Sequence, residues 1–516
     1  MRRDLSRLSS ETFDLLIVGG GASGAFTARD ASLRGLKVAL VEGQDFAGAT
    51  SAHNSKLAHG GLRYLRTMDF RLVRESLVER GNLLRMAPHL VRPLPFLLPV
   101  NGGFTERVYL GAGLTLYDLM AGGDMPRHRW LKNPGEAVLE DFNGAFEYHD
   151  AQMYAPERIA LECLVDADTN GAAIANYVRA EKLLQRNGRV EGVSARDTIT
   201  GDVFDIRAKV SLVAAGPWAD LFLAAASGKP AAHKLVRSNG IHILVPSFSD
   251  KALTIEAGAG HFFVMPWRGY SLVGTTDTPF TGDPASLSVS EADIAGLIGT
   301  VNQYLPQAHL ARDAVAFFYA GLRPLVADGS ANTYGVSRKS ELVDHAGEGL
   351  DGVFSVLGGK WTTSRALAQS VTDAVVKKLA VKAGPCVTRA PLPGGRFEDF
   401  ASLAAGIEKT WPGIGMRHLI HMFGARLPLL LKNARVADLA ALGPSGDTMA
   451  QVDFAVAHEM ALTLEDVVMR RTSLGQFGPP PNLDLVAARM AQMLGWDAAR
   501  TQSEIESLAP LYHTAN

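Results

Sequence analysis

The stretch FDLLIVGGGASG, residues 13–24, decides the fold of the N-terminal part of this chain. An apolar run with strand character leads into three glycines, and helical character follows as far as Gly35. Gly19, Gly21 and Gly24 form the pattern G-x-G-x-x-G at this junction. In dinucleotide-binding folds the first glycine allows a tight turn, the second admits a pyrophosphate, and the third lets the helix pack closely on the strand.

An acidic residue at the end of the next strand completes the pattern. KVALVEG, residues 37–43, is a second apolar strand, and Glu42 follows Gly19 by 23 residues. In such folds the acid holds the ribose hydroxyls, while the N-terminus of the intervening helix, here Ala22 and Ser23, faces the diphosphate. The strand–helix–strand order predicts a parallel sheet with short connections.

Length and composition limit the classes of protein to which this chain can belong. The 516 residues allow two or three domains, and 47% hydrophobic residues supply a large core. Because 51 Lys+Arg residues face 53 Asp+Glu residues, nucleic acid is excluded as the main partner. Cys163 and Cys386 lie in no metal or redox spacing, which indicates a reducing compartment such as the cytoplasm. No signal peptide and no run of roughly 18 apolar residues is seen, so we expect no membrane crossing.

Two distant segments predict that the nucleotide is FAD. Residues 209–218, KVSLVAAGPW, and residues 352–370, GVFSVLGGKWTTSRALAQS, are apolar strands that end in small-residue turns. In flavin enzymes, strand–turn segments from distant parts of the chain typically add to an N-terminal dinucleotide-binding fold. The chain has neither the second G-x-G-x-x-G motif that is common in flavoproteins reduced by NAD(P)H nor a C-x-x-x-x-C disulfide pattern.

Blocks distributed along the chain resemble one enzyme family. They are IVGGGASG (17–24), TSAHNSKLAHGGLRYL (50–65), RLVRESLVERGNLLRMAPHL (71–90), AAGPW (214–218), SLVGTTDT (271–278), GLRPL (321–325), LGGKWTTSR (357–365), LPGG (392–395) and EMALTLEDVVMRRTSLG (459–475). The chain resembles the FAD-dependent glycerol-3-phosphate dehydrogenases of the aerobic, quinone-linked type. The resemblance implies oxidation of sn-glycerol 3-phosphate to dihydroxyacetone phosphate by hydride transfer from C2 to FAD, with electrons passed to ubiquinone at the membrane.

Periodicity and resemblance together predict the fold. Helical spacing predicts helices at 70–86 and 172–186, the latter before a hairpin that turns at Gly201, and residues 235–277 have mainly strand character. We expect an α/β fold with an FAD-binding Rossmann-like domain of the glutathione-reductase/D-amino-acid-oxidase type, an interleaved antiparallel β substrate domain and a C-terminal α-helical domain. The predicted bounds are 11–90, 160–234 and 320–385 for the first domain, 91–159 and 235–319 for the second, and 396–516 for the third.

The resemblance also implies which residues act on the substrate. Arg63, Arg323 and Arg338 match family positions at the substrate site, and a guanidinium group suits a phosphate because it donates two hydrogen bonds at once. His242 is the candidate general base for the C2 hydroxyl, and Lys360 is the candidate for stabilising developing negative charge. The identity of the proton acceptor stays open among His242, Lys360 and Arg63. Further candidates for the substrate site are Tyr64, Thr275 and Thr276.

The cofactor-binding residues that the motifs and the resemblance imply are mostly glycines and small or hydroxyl residues at strand ends. Gly60 and Gly61 are expected to bring the backbone against the flavin. The predicted set is Gly19, Gly21, Ala22, Ser23, Gly24, Glu42, Thr50, Ser51, Ser55, Lys56, Gly60, Gly61, Ala215, Gly216, Gly358, Gly359, Lys360, Trp361 and Thr362.

Four positions depart from the family pattern and leave alternatives open. They are Ala58, Val213, Ile241 and Ser364. Smaller residues at 58 and 364 enlarge the pocket if they line it, so a longer polyol phosphate such as erythritol phosphate is an alternative substrate. An oxygen-using glycerol-3-phosphate oxidase is a second alternative, and a flavin-binding protein with a structural or sensory role is a third.

A basic helix near apolar segments suggests a membrane surface as a partner. Residues 62–92 are rich in arginine, and the helix also carries leucines. PLPFLLP (93–99) and VYLGAGLTLYDLM (108–120) lie close by. With the quinone acceptor that the family implies, this predicts a peripheral protein on an anionic bilayer, at the cytoplasmic face of the inner membrane. Family members often form homodimers. The arginines of the basic helix are Arg66, Arg71, Arg74, Arg80 and Arg85.

DADTNG, residues 166–171, matches the first half of a calcium loop. The twelfth position is Tyr177 rather than the bidentate glutamate that such loops need. We therefore expect no metal here and interpret the segment as the cap at the start of the helix predicted at 172–186.

Overall fold

The computed structural model describes residues 1–65, 68–258, 260–326, 340–411, 416–432 and 434–515. Its described strands form two sheets, and its helices cover the sheets and fill the C-terminal part. In chain order the strands are β1 (Thr12–Val18), β2 (Val38–Val41), β3 (Leu57–Ala58), β4 (Val91–Pro99), β5 (Arg129–Leu131), β6 (Ala145–Met153), β7 (Ala173–Ala175), β8 (Val178–Arg186), β9 (Arg189–Asp197), β10 (Val203–Val213), β11 (Leu235–Pro246), β12 (Ala252–Ala257), β13 (Gly260–Trp267), β14 (Tyr270–Gly274), β15 (Thr278–Phe280), β16 (Phe317–Val326), β17 (Glu341–Asp344) and β18 (Val353–Leu357).

The helices begin with one short segment and one long helix that opens on the glycine motif. They are α1 (Leu5–Ser10), α2 (Ala22–Leu33), α3 (Phe70–Met86), α4 (Phe104–Ala121), α5 (Pro156–Thr169), α6 (Ala219–Ser227), α7 (Glu291–Tyr304), α8 (Ser364–Leu379), α9 (Phe400–Thr410), α10 (Arg417–Phe423), α11 (Leu427–Leu431), α12 (Met449–His458), α13 (Leu483–Leu494) and α14 (Ala498–Glu506). A π-helical segment, Asp466–Arg471, lies between α12 and α13. Among the described helices, none has the length and apolar character needed to span a bilayer.

The first sheet has the strand order β17-β18-β10-β1-β2-β7, with β9 and β8 added beside β10. Strands β18, β10, β1, β2 and β7 run parallel, so their carboxyl ends meet at one edge. Helices α2, α5 and α8 pack together on one face, where α2 contacts both of the others. The central strands are continuous apolar runs because they are buried on both faces.

The second sheet follows the order β15-β11-β14-β13-β12-β4-β6-β3, with β16 beside β11 and β5 beside β6. Its pairing is antiparallel except between β12 and β4. Strand β16 pairs with β11 along nearly its whole length. Residues 320–326, which the sequence assigns to the first domain, therefore run in the second sheet.

The prediction of a helix at 172–186 is wrong, because this segment forms β7 and β8. Strand β7 adds to the parallel edge beside β2, and β8 pairs with β9. Side chains of β8 alternate: Val178, Ala180 and Leu183 are buried, while Arg179 faces solvent. The alanines favour a helix locally, but pairing with neighbouring strands overrides that weak propensity.

The role predicted for DADTNG as a helix start is also wrong. Asp166 lies inside the last turns of α5, and its buried carboxylate pairs with Arg29 at 2.8 Å and Arg396 at 2.9 Å. The carboxylate thus joins α2, α5 and the segment that leads to the C-terminal helices.

Two features of the predicted membrane surface are buried instead. PLPFLLP forms most of β4, where Phe96 and Leu97 are inside the core. Arg80 on α3 is also buried and its guanidinium pairs with Asp150 at 2.7 Å. Arg71, Arg74 and Arg85 are exposed, and Arg66 lies outside the described residues.

The junction between β1 and α2 has room only for glycine. Gly19 has φ +114°, and a Cβ added at Gly24 would collide with the carbonyl oxygen of Gly19. We expect Gly24→Ala to lower the free energy of unfolding by about 1–3 kcal/mol, because the helix must move off the strand. Gly296→Ala in α7 is the control, since its Cβ meets nothing within 4 Å and the alanine favours helix by about 0.5–1 kcal/mol. Denaturant unfolding of both variants tests this, and equal stabilisation by the two would contradict the packing argument.

Candidate active site

A cleft of about 660 Å³ opens at the carboxyl ends of the parallel strands of the first sheet. Its wall includes Val18 at the end of β1, Val41 at the end of β2, Ala214 after β10 and Gly358 after β18. Ligands of open α/β sheets bind at this edge because the loops that follow the strands converge there.

The glycine turn and Glu42 form one end of the cleft. Gly19, Gly21, Ala22 and Ser23 line the wall together with Glu42. The Glu42 carboxylate accepts the Gly20 N–H at 2.7 Å and the Gln44 N–H at 2.9 Å. Burial raises the pKa of Glu42, and these backbone donors oppose that rise.

The residues that follow Glu42 form a long irregular segment, 43–55, which we call the wall loop. Gly43, Gln44 and Asp45 line the cleft, as do Ala47 to Ser51 and His53 to Ser55. Ser51 Oγ accepts the N–H of Ala22 at 2.9 Å, and Thr50 Oγ1 donates to the carbonyl of Leu322 at 2.7 Å. The loop is thereby tied both to the start of α2 and to β16.

The two returning segments complete the wall, at Ala215 and Gly216 after β10 and at 358–362 after β18. Gly358 and Gly359 have φ of +68° and +110°, which side chains other than glycine rarely adopt. The Trp361 ring donates Nε1–H to the carbonyl of Ser51 at 3.2 Å. Predicted cofactor residues from four distant segments therefore share one cavity.

Cationic side chains gather around Tyr64 on the cleft wall. Lys360 Nζ lies 3.8 Å from the centre of the Tyr64 ring, and the Arg63 guanidinium lies 4.7 Å from it. Arg63 also donates to the Tyr64 hydroxyl at 3.0 Å. A Cβ at Gly61, where φ is +77°, would lie 2.5 Å from the Tyr64 ring. Tyr64 thus makes cation–π contacts with two positive charges.

Arg323 on β16 is held rigidly at the same cleft. Its guanidinium donates to Thr275 Oγ1 at 2.6 Å and to the Thr276 carbonyl at 2.8 Å. A third bond reaches Ser238 Oγ at 3.1 Å. A Cβ at Gly240 would collide with this guanidinium, so a glycine on the neighbouring strand β11 makes room for it. The charge is positioned before any anion arrives.

His242 on β11 is a buried imidazole on the cleft wall. Its ring stacks on Tyr319 with 5.0 Å between centres, and Nε2 lies 2.9 Å from Ser55 Oγ. The Nδ1 atom is buried without a hydrogen-bond partner. Burial, followed by the charges of Arg323 and Lys56, holds the pKa of His242 well below its usual range. The imidazole is therefore neutral.

Several predicted site residues lie behind the wall rather than on it. Lys56 points into a small adjoining cavity, where Nζ donates to the Ala52 carbonyl at 2.7 Å and lies 3.5 Å from Glu157. The other residues off the wall are Gly24, Gly60, Gly61, Arg63, Thr275 and Thr276, and Arg338 lies outside the described residues.

Specific packing accounts for two of these residues. The N–H of Gly60 donates to Asp150 at 3.1 Å, and a Cβ there would collide with Leu77 and the Tyr117 hydroxyl. Thr276 Oγ1 accepts the N–H of Ile241 at 3.0 Å. The sequence alone could not separate glycines that face a ligand from glycines that face a tyrosine or a leucine.

The four departures from the family pattern fall in different places. Ser364 lines the cleft, whereas Ala58, Val213 and Ile241 are completely buried off the wall. The small residue at 58 therefore does not enlarge the cleft, and of the two positions considered only 364 faces it.

His59 lines the cleft but is absent from the predicted set. It directly precedes Gly60, and its N–H lies 3.3 Å from Thr362 Oγ1. The signal was available, because this histidine stands in the same block as Arg63 and Tyr64.

Comparison with known proteins identifies the family. A family model of FAD dependent oxidoreductases matches residues 14–373, and one for the C-terminal domain of alpha-glycerophosphate oxidase matches residues 386–501. A glycerol-3-phosphate dehydrogenase of Synechocystis is 35% identical over 99% of this chain and 97% of that protein. The chain belongs to the FAD-dependent glycerol-3-phosphate dehydrogenase family. The human mitochondrial glycerol-3-phosphate dehydrogenase is 33% identical over 98% of this chain and 73% of that protein.

Solved structures support the same assignment. The FAD complex of the glycerol-3-phosphate dehydrogenase from Bacillus halodurans matches with a TM-score of 0.77 and 26% identity, over 98% of this chain and 96% of that one. The L-alpha-glycerophosphate oxidase of Mycoplasma pneumoniae, with FAD bound, shares the fold at a TM-score of 0.53 and 19% identity, over 74% and 99% of the two chains. The predicted resemblance, fold class and FAD cofactor are confirmed, and this family member is an oxidoreductase.

The residues that line the cleft are compatible with bound FAD. Its volume lies within the range of cofactor sites. A Cβ at Gly21 would lie 3.0 Å from Ser51 Oγ, so glycine keeps the start of α2 open for a diphosphate. Glu42, at the end of β2, is placed for a ribose.

The neutral state of His242 can be measured directly. We expect its imidazole not to titrate between pH 5 and 8, because protonation would bury a charge beside Arg323. The measurement is the pH dependence of histidine ¹³C resonances, with the signal assigned by its loss in His242→Gln. Arg323→Met is expected to raise the pKa of His242, and a midpoint near 6.5 in the unmutated protein would contradict the burial argument.

Proposed function

We propose that the protein oxidises sn-glycerol 3-phosphate to dihydroxyacetone phosphate and passes the electrons to a membrane quinone. Relatives of this chain at 33–35% identity are named glycerol-3-phosphate dehydrogenases. The observation that carries the proposal is the convergence of Arg323, Lys360 and Tyr64 on one FAD cleft. A small dianionic substrate offers most of its binding energy through its phosphate, and fixed cations suit that group.

The side chains divide the work of binding and charge stabilisation. When bound, FAD supplies a hydride acceptor. Arg323, whose position is set by Thr275 and Ser238, binds the phosphate without losing much side-chain freedom. Lys360, beside Tyr64, stabilises negative charge that develops on the substrate oxygen. Arg63 acts through Tyr64, whose hydroxyl and ring it contacts.

Three histidines line the cleft, and two of them, His59 and His242, are candidates for the base that accepts the C2 hydroxyl proton. Burial lowers the pKa of the third, His53, to about 4. His242 is neutral, but its depressed pKa makes it a weak acceptor at neutral pH. His59 is less buried and adjoins the segment that carries Tyr64. We therefore assign proton transfer to His59 and a positioning role to His242, which contacts the wall loop through Ser55.

An exposed apolar face supports the membrane part of the proposal. On α4 the exposed fractions are 78% for Phe104, 52% for Val108, 61% for Tyr109 and 70% for Leu119. At 100° per residue these side chains lie within an arc of about 140° that carries no charged residue. The remaining members of this face, which we call the α4 face, are Thr105, Ala112, Thr115 and Leu116.

Charges beside the α4 face suit an anionic bilayer. Helix α3 packs against α4 and exposes Arg71, Arg74 and Arg85. A helix that presents an apolar face next to basic side chains is suited to lie in the plane of a membrane surface. A quinone dissolved in the bilayer must be met there, so we place the protein on the cytoplasmic face of the inner membrane. A homodimer is compatible with this placement and stays a prediction.

The decisive experiment mixes purified holoprotein with sn-glycerol 3-phosphate in the absence of oxygen. We expect rapid loss of the visible flavin absorbance, because the substrate reduces FAD. If only a four-carbon polyol phosphate bleaches the flavin, the substrate is that longer compound, which agrees with the small side chain of Ser364. If hydrogen peroxide is released under air at the full turnover rate, the electron acceptor is oxygen rather than quinone. If no polyol phosphate bleaches the flavin, the proposed enzymatic role is refuted.

Removal of the fixed guanidinium should damage substrate use specifically. We expect Arg323→Met to lower kcat/KM by about 100-fold, since one charged hydrogen-bond partner of the phosphate is lost. Arg312→Met is the control, because that guanidinium pairs with Glu291 on the surface and lies off the cleft. Steady-state kinetics with an artificial acceptor make the comparison, and an equal loss in both variants would contradict the assignment of Arg323.

The α4 face can be tested with vesicles that contain anionic lipid. We expect Leu119→Glu to reduce co-sedimentation by about tenfold, because burying a carboxylate in the bilayer interface is unfavourable. Val436→Glu is the matched control, since Val436 is 82% exposed in the C-terminal part and lies off the α4 face. Flavin reduction in solution should be unchanged in both variants. Unaltered vesicle binding by Leu119→Glu would exclude the α4 face as the contact surface.

A further inference from the structure

A buried ion cluster joins the wall loop to the C-terminal region. Arg471 donates to both carboxylate oxygens of Asp45 at 2.7 Å, and Arg470 Nε donates to the same carboxylate at 2.5 Å. Asn176 adds a further bond to Asp45 at 3.1 Å. The side chains of Asp45 and Arg471 are almost completely buried, so the pair is shielded from solvent and salt.

The two arginines are themselves held by the C-terminal region. Arg470 donates to Glu465 at 2.7 Å and to Asp466 at 2.9 Å. Arg471 donates to the carbonyl of Glu459 at 3.0 and 3.2 Å. Both arginines end the π-helical segment Asp466–Arg471, which presents their side chains together toward Asp45.

Asp45 occupies an unusual position within the cofactor site. It lines the cleft, yet its carboxylate points away from the cavity into the ion cluster. Burial raises its pKa, but the charges of Arg471 and Arg470 outweigh burial and lower the pKa to about 2. The carboxylate is therefore charged at any physiological pH and does not serve as a ligand or proton donor in the cleft.

The wall loop needs such an anchor because it contains no strand or helix of its own between β2 and β3. Its other ties are single hydrogen bonds, such as Ala47 N–H to the Gly20 carbonyl at 3.1 Å and Thr50 to Leu322. Phe46, next to Asp45, packs against Gly20 of the glycine turn. A shift of Asp45 would therefore move both the loop and the turn that receive the nucleotide.

We propose that Arg470 and Arg471 are positioning residues for FAD: they clamp Asp45, and the C-terminal helical region thereby controls how tightly the cleft retains its cofactor. The inference rests on FAD binding alone and does not depend on the substrate or the electron acceptor. It also assigns a role to EMALTLEDVVMRRTSLG, residues 459–475, which take no part in the proposed reaction.

The experiment compares two carboxylate-to-amide variants of equal burial. Asp45→Asn weakens the clamp. Glu162→Gln weakens the buried bonds of Glu162 on α5 to His89 at 3.3 Å and to the N–H of Gly394 at 2.9 Å, which lie apart from Arg470, Arg471 and the wall loop. FAD release is followed by the rise of flavin fluorescence after dilution of the holoprotein, and the melting temperature is measured in parallel. We expect FAD release to accelerate about tenfold in Asp45→Asn and by less than about twofold in Glu162→Gln, although both variants melt earlier.

A second pair of variants keeps the test independent of one substitution. Arg471→Met should release FAD at least as fast as Asp45→Asn, and the double variant should add little, because both changes remove one interaction. Unchanged FAD release in Asp45→Asn would overturn the proposal. Equal acceleration by Glu162→Gln would also overturn it, since general loosening of the protein would then explain the loss. Flavin bleaching by the substrate is not part of this readout, so failure of the proposed function would leave the result intact.

Discussion

The close approach of α2 to β1 is the constraint on which the site depends. Gly24 packs directly on the carbonyl of Gly19, and this contact aims the N-terminus of the helix at the edge where the parallel strands end. The helix dipole and the backbone N–H groups at the start of a helix suit a diphosphate. Glu42 then accepts the N–H of Gly20, which fixes the turn from the neighbouring strand. The position of the FAD site is thus set mainly by the packing of α2 on β1.

The positive charges of the cleft are arranged around groups that hold them in place. Arg63 and Lys360 both contact the Tyr64 ring, and Arg323 is hydrogen-bonded to Thr275 and Ser238. Fixing a cation before the substrate arrives reduces the loss of side-chain entropy on binding and excludes reorganisation of solvent around it. Burial, followed by the charges of Arg323 and Lys56, disfavours protonation of His242, so Arg323 contributes both to the positive charge of the cleft and to the neutral state of the imidazole.

The sequence predicts the parts of this fold that are set by local pattern. The apolar run before Gly19, the helix over 70–86 and the returns near Ala215 and Gly358 follow from periodicity and glycine position, and the structure has them there. The helix predicted at 172–186 failed because strand pairing decided the segment. Lys56 and Gly60 stood in the right block but face Glu157 and Leu77, and only the packed structure shows which way a side chain turns.

The cleft is built from segments that lie far apart in the sequence, so it is completed only late in the synthesis of the chain. The nucleotide turn near Gly19 leaves the ribosome early, but Lys360 follows more than three hundred residues later and Arg471 later still. At 5–20 residues per second, Asp45 waits roughly 20–90 s before its arginine partners exist. During that interval the nascent chain carries an Asp45 carboxylate without its arginine partners, and the wall of the cleft is itself incomplete until Ser364 has been added. On this proposal, a ribosome that stalls before the π-helical segment would leave a chain that releases flavin faster than the finished protein does.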